Sequence, residues 1–83
     1  MKDEWMIQED SLRHTLYDFL GKMAYRLRQK ECQGFRGWND RSLITDEELY
    51  VRLIGSAREG KFIDAANFAM MLQHRKESSA NGA

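Results

Sequence analysis

Apolar side chains recur at helical spacing through most of the chain. Leu12, Leu16, Phe19, Leu20, Met23 and Leu27 fall at i, i+4, i+7, i+8, i+11 and i+15. That spacing sets them on one stripe of a helix over about Asp10 to Lys30. Glu9 and Asp10 stand at its positive end, and Arg26, Arg28 and Lys30 at its negative end, so both ends complement the helix dipole. Arg13, Asp18, Lys22 and Arg26 lie off the stripe and read as a solvated outer face.

The helical period breaks between about Glu31 and Ile44, where Gly34, Gly37 and Asn39-Asp40 supply turn chemistry. Thr45-Asp46-Glu47-Glu48 then forms a capping box, with Ile44 placed to staple onto Leu49. Leu49, Leu53, Ile54 and Ala57 make the predicted inner face of the second helix. Gly60 suits the left-handed position that ends it. A third helix is predicted over about Phe62 to Arg75. It is apolar nearly all the way round, with Asp64 and Asn67 its only polar groups before Gln73, and such a helix belongs at the centre of a fold.

The expected architecture is therefore all-α: a long first helix packed on a tight antiparallel helical hairpin. Residues 1–76 form one small domain, with 1–8 as an N-terminal arm carrying Trp5, Met6 and Ile7. Residues 77–83 are small and polar and read as a flexible tail.

Length changes the picture. With 83 residues and no second cysteine to pair with Cys32, no disulfide staples so small a core. Self-association is the usual remedy, so a homodimer is expected, two copies completing a bundle with the third helices at its centre. Charge narrows the partners. The 13 basic and 13 acidic residues balance, which argues against a general polyanion binder. No apolar run of about 18 residues suggests a membrane span. A free thiol without an export signal points to the cytoplasm.

Two groups of residues carry candidate chemistry. The Gly34–Arg41 loop interleaves glycine with Phe35, Arg36, Trp38 and Arg41. Arginine pairs with phosphate and an aromatic ring stacks on a base. The competing structural reading, in which Phe35 and Trp38 plug the open end of the bundle and the arginines are solvated, is preferred because apolar loop anchors are common in small helical domains, and the spacing matches no phosphate-binding loop. Asp64, in so apolar a helix, needs a partner. An arginine such as Arg52 or Arg58, or a backbone cap, suits it better than a metal, because a lone carboxylate is a poor magnesium site. His14, His74 and Cys32 show no zinc spacing.

Gly37-Trp38, then Asp46-Glu47-Glu48-Leu49 with Arg52-Leu53, then Asp64-Ala65-Ala66-Asn67-Phe68-Ala69-Met70-Met71 resemble the MazG-like group of all-α NTP pyrophosphohydrolases, and in particular its short phage and prophage relatives. The resemblance covers about residues 34–73. It implies a helical scaffold and, in active members, magnesium held by a Glu-Glu-x-x-Glu motif and a Glu-x-x-Asp motif. This chain departs from both. With the Arg-Leu pair matched, the paired glutamates become Gly55 and Ser56 and only Glu59 remains. With Glu47 and Glu48 matched instead, the third position is Val51. In the second motif Asp64 stands, but Lys61 replaces the leading glutamate, and a lysine there opposes a cation.

The expected function is therefore non-enzymatic: an accessory or regulatory protein of phage or prophage type that binds a protein partner on a catalytically degenerate scaffold. The expected binding residues are Phe35, Arg36, Trp38, Arg41, Asp64 and Asn67, with no metal and no cofactor. Two alternatives stay open. One is a nucleotide-binding protein or magnesium-dependent pyrophosphohydrolase, with Glu47, Glu48, Glu59 and Asp64 as ligands. The other is nucleic-acid binding through Arg13, Lys22, Arg26, Arg28, Lys30, Arg36 and Arg41.

Overall fold

The computed structural model describes residues 6–82, with side chains as far as Ser78. It holds three helices: α1 (Asp10–Cys32), α2 (Asp46–Arg58) and α3 (Phe62–Gly82). Of the predicted N-terminal arm, residues 1–5 lie outside the description. Met6 is exposed, and the Ile7 carbonyl accepts from Arg13 Nη1 at 3.0 Å.

Local chemistry explains each helix end. Glu9 caps α1, its carboxylate accepting from the Ser11 and Leu12 amides at 2.9 Å. It thus satisfies two of the otherwise orphaned N–H groups as well as complementing the dipole. The Thr45/Glu48 capping box of α2 forms in both directions. Gly60, at φ 78°, closes α2 in a Schellman motif: its N–H donates to Ala57 O at 3.1 Å and the Lys61 N–H to Ser56 O at 2.8 Å. The helical backbone of α3 runs on to Gly82, past the predicted end near Arg75. No proline interrupts that segment, and Gln73 Nε2 donates to Glu77 Oε2 at 3.0 Å across one helical turn.

α3 is central. It packs against α2 along the hairpin and against α1 on another side, while among the described residues the α1 and α2 backbones stay more than 8 Å apart between Cα atoms. Leu49 is 1% exposed and, with Ala65, is the fully buried apolar core among the described residues. The predicted inner face of α2 needs correction. Leu53 is half-buried, but Ile54 and Ala57 are exposed and Ser56 turns inward instead. α2 meets only one neighbour, so only a narrow stripe of it is covered.

The larger departure is in α1, which buries no residue completely. Its apolar stripe points in part into open space: Leu12 is 54% exposed, Leu16 39% and Leu20 46%. The whole chain exposes 6698 Å², against about 5,200 Å² for a compact folded monomer of its mass. Its radius of gyration of 14.8 Å exceeds the value of about 12 Å usual for this length.

Candidate functional site

A cleft of about 470 Å³ opens over α3, between the C-terminal half of α1 and the start of α2. The loop after α1 forms its lip. Gly37, at φ 79°, lets that loop turn tightly over Leu43: a Cβ built there would lie 2.5 Å from Leu43 Cδ1. Phe35, Arg36 and Trp38 line the cleft from the loop, and Asp64, Asn67, Phe68 and Met71 from α3. Five of the six predicted binding residues therefore meet in one hollow. Arg41 is not among the lining residues, and its Nε donates to Asp46 at 3.1 Å. Phe35 and Trp38 remain largely exposed, so they rim the opening rather than plug the bundle. Lys30 Nζ sits 4.7 Å above the Phe35 ring, and the His74 ring stands tilted against Trp38 at 5.4 Å.

The partner of Asp64 is an arginine, though neither Arg52 nor Arg58. Arg26 of α1 reaches across, its Nε donating to Asp64 Oδ1 at 2.9 Å with both side chains partly buried. Arg26 sits on the α1 flank assigned from sequence to solvent. The residue that calls for it is 38 positions away, so no local pattern shows the pairing. The pair forms a partition: on its other side lies a shallower hollow of about 670 Å³ against Tyr17, Tyr25 and Phe62. One turn further along α3, Asn67 is 3% exposed. Its Nδ2 donates to the Met23 carbonyl at 3.3 Å, which fixes the amide orientation and leaves Oδ1 buried with no hydrogen-bond partner in the protein.

Arg75 was not legible as a site residue. It is 2% exposed, and its Nη1 and Nη2 donate to Asp46 Oδ1 at 2.7 Å and to the Trp38 carbonyl at 2.6 Å. One guanidinium therefore ties the cleft lip to the start of α2 and to α3. The Arg75 and Arg41 guanidiniums hold the Asp46 carboxyl below the usual carboxylate range. The Ser42 hydroxyl and amide do the same for Asp40 in the adjacent turn.

No family model, curated protein or solved structure matches the chain. The chemistry of the site therefore rests on its own geometry.

The four carboxylates of the magnesium alternative do not form a ligand set. Asp64 is held by Arg26, Glu59 by Lys61 at 3.0 Å, and Glu48 by its own helix cap. Among the described residues no three His, Cys, Asp or Glu side chains converge as a metal site. A divalent cation needs several oxygen ligands converging on one point. The basic set of the nucleic-acid alternative is also largely neutralised. Arg13, Lys22, Arg26, Arg28 and Arg41 pair with Asp10, Asp18, Asp64, Glu31 and Asp46 respectively. In the cleft Lys30, Arg36 and Arg52 keep charges that no carboxylate among the described residues offsets. Arg36 donates only to the Glu31 and Phe35 carbonyls. Among the described residues, no helix is long and apolar enough to cross a membrane.

Proposed function

We propose that the chain is a small, non-enzymatic accessory or regulatory protein that binds a protein partner, works as a homodimer in the cytoplasm, and uses the cleft over α3 as its docking surface. The MazG-like resemblance of residues 34–73 supports a phage or prophage setting and a scaffold that has lost its catalyst. The observation that carries the reading is the state of Asp64. The one motif carboxylate in the cleft wall is already neutralised by Arg26, the other lining carboxylate, Glu31, pairs with Arg28, and the rest of the wall is mainly aromatic and aliphatic, with Asn67 and the cations Lys30, Arg36 and Arg52. Such a surface suits an apolar segment flanked by acidic residues. The exposed thiol of Cys32 accords with a reducing compartment.

The test joins capture to titration. Trp38→Asp is expected to lose a partner that both the wild type and a Tyr50→Ala control retain. Tyr50 lies outside the cleft lining, on the exposed surface of α2. A partner captured equally by Trp38→Asp would remove the cleft from the reading. Titration with magnesium and nucleoside triphosphates, with product analysis, addresses the enzyme. Cleavage to a monophosphate that Asp64→Asn abolishes, with the fold intact, would end the non-enzymatic reading.

One observation favours a second reading. Lys30, Arg36 and Arg52 stand uncompensated beside Trp38, a combination that suits an anion carrying a ring. Binding without cleavage in the same titration would assign the cleft to a nucleotide instead of a protein.

A further inference from the structure

We propose that the exposed stripe of α1 is the homodimer interface: α1 of one copy pairs antiparallel with α1 of a second copy, about a two-fold axis near Leu20. This rests on the homodimer reading above, but it puts α1 rather than α3 at the junction.

Three observations lead there. First, the uncovered apolar surface is continuous. Leu12, Leu16 and Leu20 are exposed and fall on the same helix face as Leu27, which lines the cleft. The stripe therefore runs from the cleft out along the N-terminal half of α1, where neither α2 nor α3 covers it.

Second, the two ends of α1 carry opposite charge. Glu9 and Asp10 open the helix, while Arg26, Arg28 and Lys30 close it. A parallel pair would set like ends together. An antiparallel pair sets the acidic end of one copy against the basic end of the other, in addition to the pairing within each chain. With the axis near Leu20, Leu12 and Leu16 of one copy meet Leu27 and Met23 of the other, and Glu9 approaches Lys30. The contact is isologous and closes at two copies.

Third, the exposed run is long. Leu12 is 54% exposed, Leu16 39% and Leu20 46%, across about 12 Å of helix, and the loop side of the cleft, with Phe35 and Trp38, stays open for a different protein. The second copy's Leu12 would stand against Leu27 at the cleft's α1 wall, so the docking surface is complete only in the dimer.

The test uses the full chain in a Cys32→Ser background. Sedimentation equilibrium from 1 to 100 µM is expected to show a dimer, and Leu16→Asp to raise its dissociation constant by at least about 100-fold. Leu16 is exposed, so circular dichroism of that variant is expected to match the parent. Independently, Leu20→Cys is expected to form a disulfide-linked dimer under mild oxidation, and Val51→Cys, on the outer side of α2, to stay monomeric under denaturing conditions. A dimer that survives Leu16→Asp, or that cross-links through Val51→Cys instead, would overturn the α1 pairing while leaving a homodimer. A monomer throughout the range would overturn both the pairing and the homodimer, and leave partner binding to the Trp38→Asp experiment.

Discussion

The helical hairpin and the first helix are held by different physics. The α2–α3 pair is fixed by a Schellman turn at Gly60, a buried leucine at its centre, and the Arg75 guanidinium binding Asp46 and the Trp38 carbonyl. α1 rests on α3 through half-buried side chains, one ion pair from Arg26 and one hydrogen bond from Asn67. The hairpin has its own anchors. α1 is a helix whose apolar stripe is only partly used. In a chain this short, such a stripe is surface that a second copy could cover, as proposed above.

The sharpest way to break the contrast is to empty the hairpin core. Leu49→Ala should cost about 3 kcal/mol, because a fully buried leucine is lost where few neighbours can collapse into the space. Urea denaturation measures it. The same change at Leu12, on the exposed stripe, should cost less than about 0.5 kcal/mol in the monomer. Equal losses at the two sites would show that α1 is packed as firmly as the hairpin.

Arg75 comes next. Arg75→Met keeps the aliphatic volume but removes two charge-assisted hydrogen bonds and leaves the Trp38 carbonyl without its donor. About 2 kcal/mol of stability should go with it, and the cleft lip should loosen. In a Trp5→Phe background the Trp38 emission spectrum reports the lip. Acid sharpens this. The folded Asp46 titrates below its ordinary range because Arg75 and Arg41 bind its ionised form. Its contribution is therefore complete above the unfolded carboxylate value of about 4, and is lost as pH falls through the lower folded value. Asp46→Asn should be less stable than the wild type at neutral pH and draw level with it in acid. A gap that stays constant across that window would mean that the pair contributes through packing alone.

The parts of the fold that were legible in the sequence are those governed by neighbours along the chain. The three helices, the Thr45/Glu48 capping box and the Gly60 stop each depend on residues within a few positions and stand where the pattern puts them, except that α3 continues to Gly82 through the segment read as a tail. The long-range choices were not legible. Asp64 asks for an arginine, but Arg52, Arg58 and Arg26 satisfy that demand equally on paper. Arg75 reads as one more cation near a helix end and is instead buried over 29 residues of separation from Asp46. The α1 stripe shows the same limit from the other side. Its periodicity correctly gives a helix with an apolar face, but says nothing of whether that face is covered by the same chain. Of the cleft lining, Phe35, Arg36, Trp38, Asp64 and Asn67 could be singled out from sequence because glycine-aromatic-arginine clustering and polar groups in an apolar helix are local signals. Arg41 was included by that same proximity, and its bond to Asp46 takes it elsewhere.

Gly60→Ala is a smaller test of the hairpin. Open space surrounds a Cβ there, so the cost is the left-handed backbone alone, about 1 kcal/mol. A neutral result would mean that the turn relaxes to another closure, and that the hairpin owes its tightness to Leu49 and Arg75.

The smallest energy change tests the looser half. Asp64→Asn removes the ion pair that ties α1 to α3. With both partners partly solvated, that pair contributes no more than about 1 kcal/mol. The effect should be local. Amide exchange along α1 should quicken by up to about fivefold in the variant, while exchange in α2 and the first turns of α3 stays as in the wild type, because opening α1 does not require the hairpin to unfold. Protein concentration then separates the two ways α1 can be held. If a second copy covers its stripe, protection of α1 rises with concentration in both wild type and variant, and the hairpin's does not. If α1 is held only by its own chain, its exchange is the same at every concentration, and its half-buried contacts with α3, the Asn67 hydrogen bond and the ion pair with Asp64 are what keep it in place.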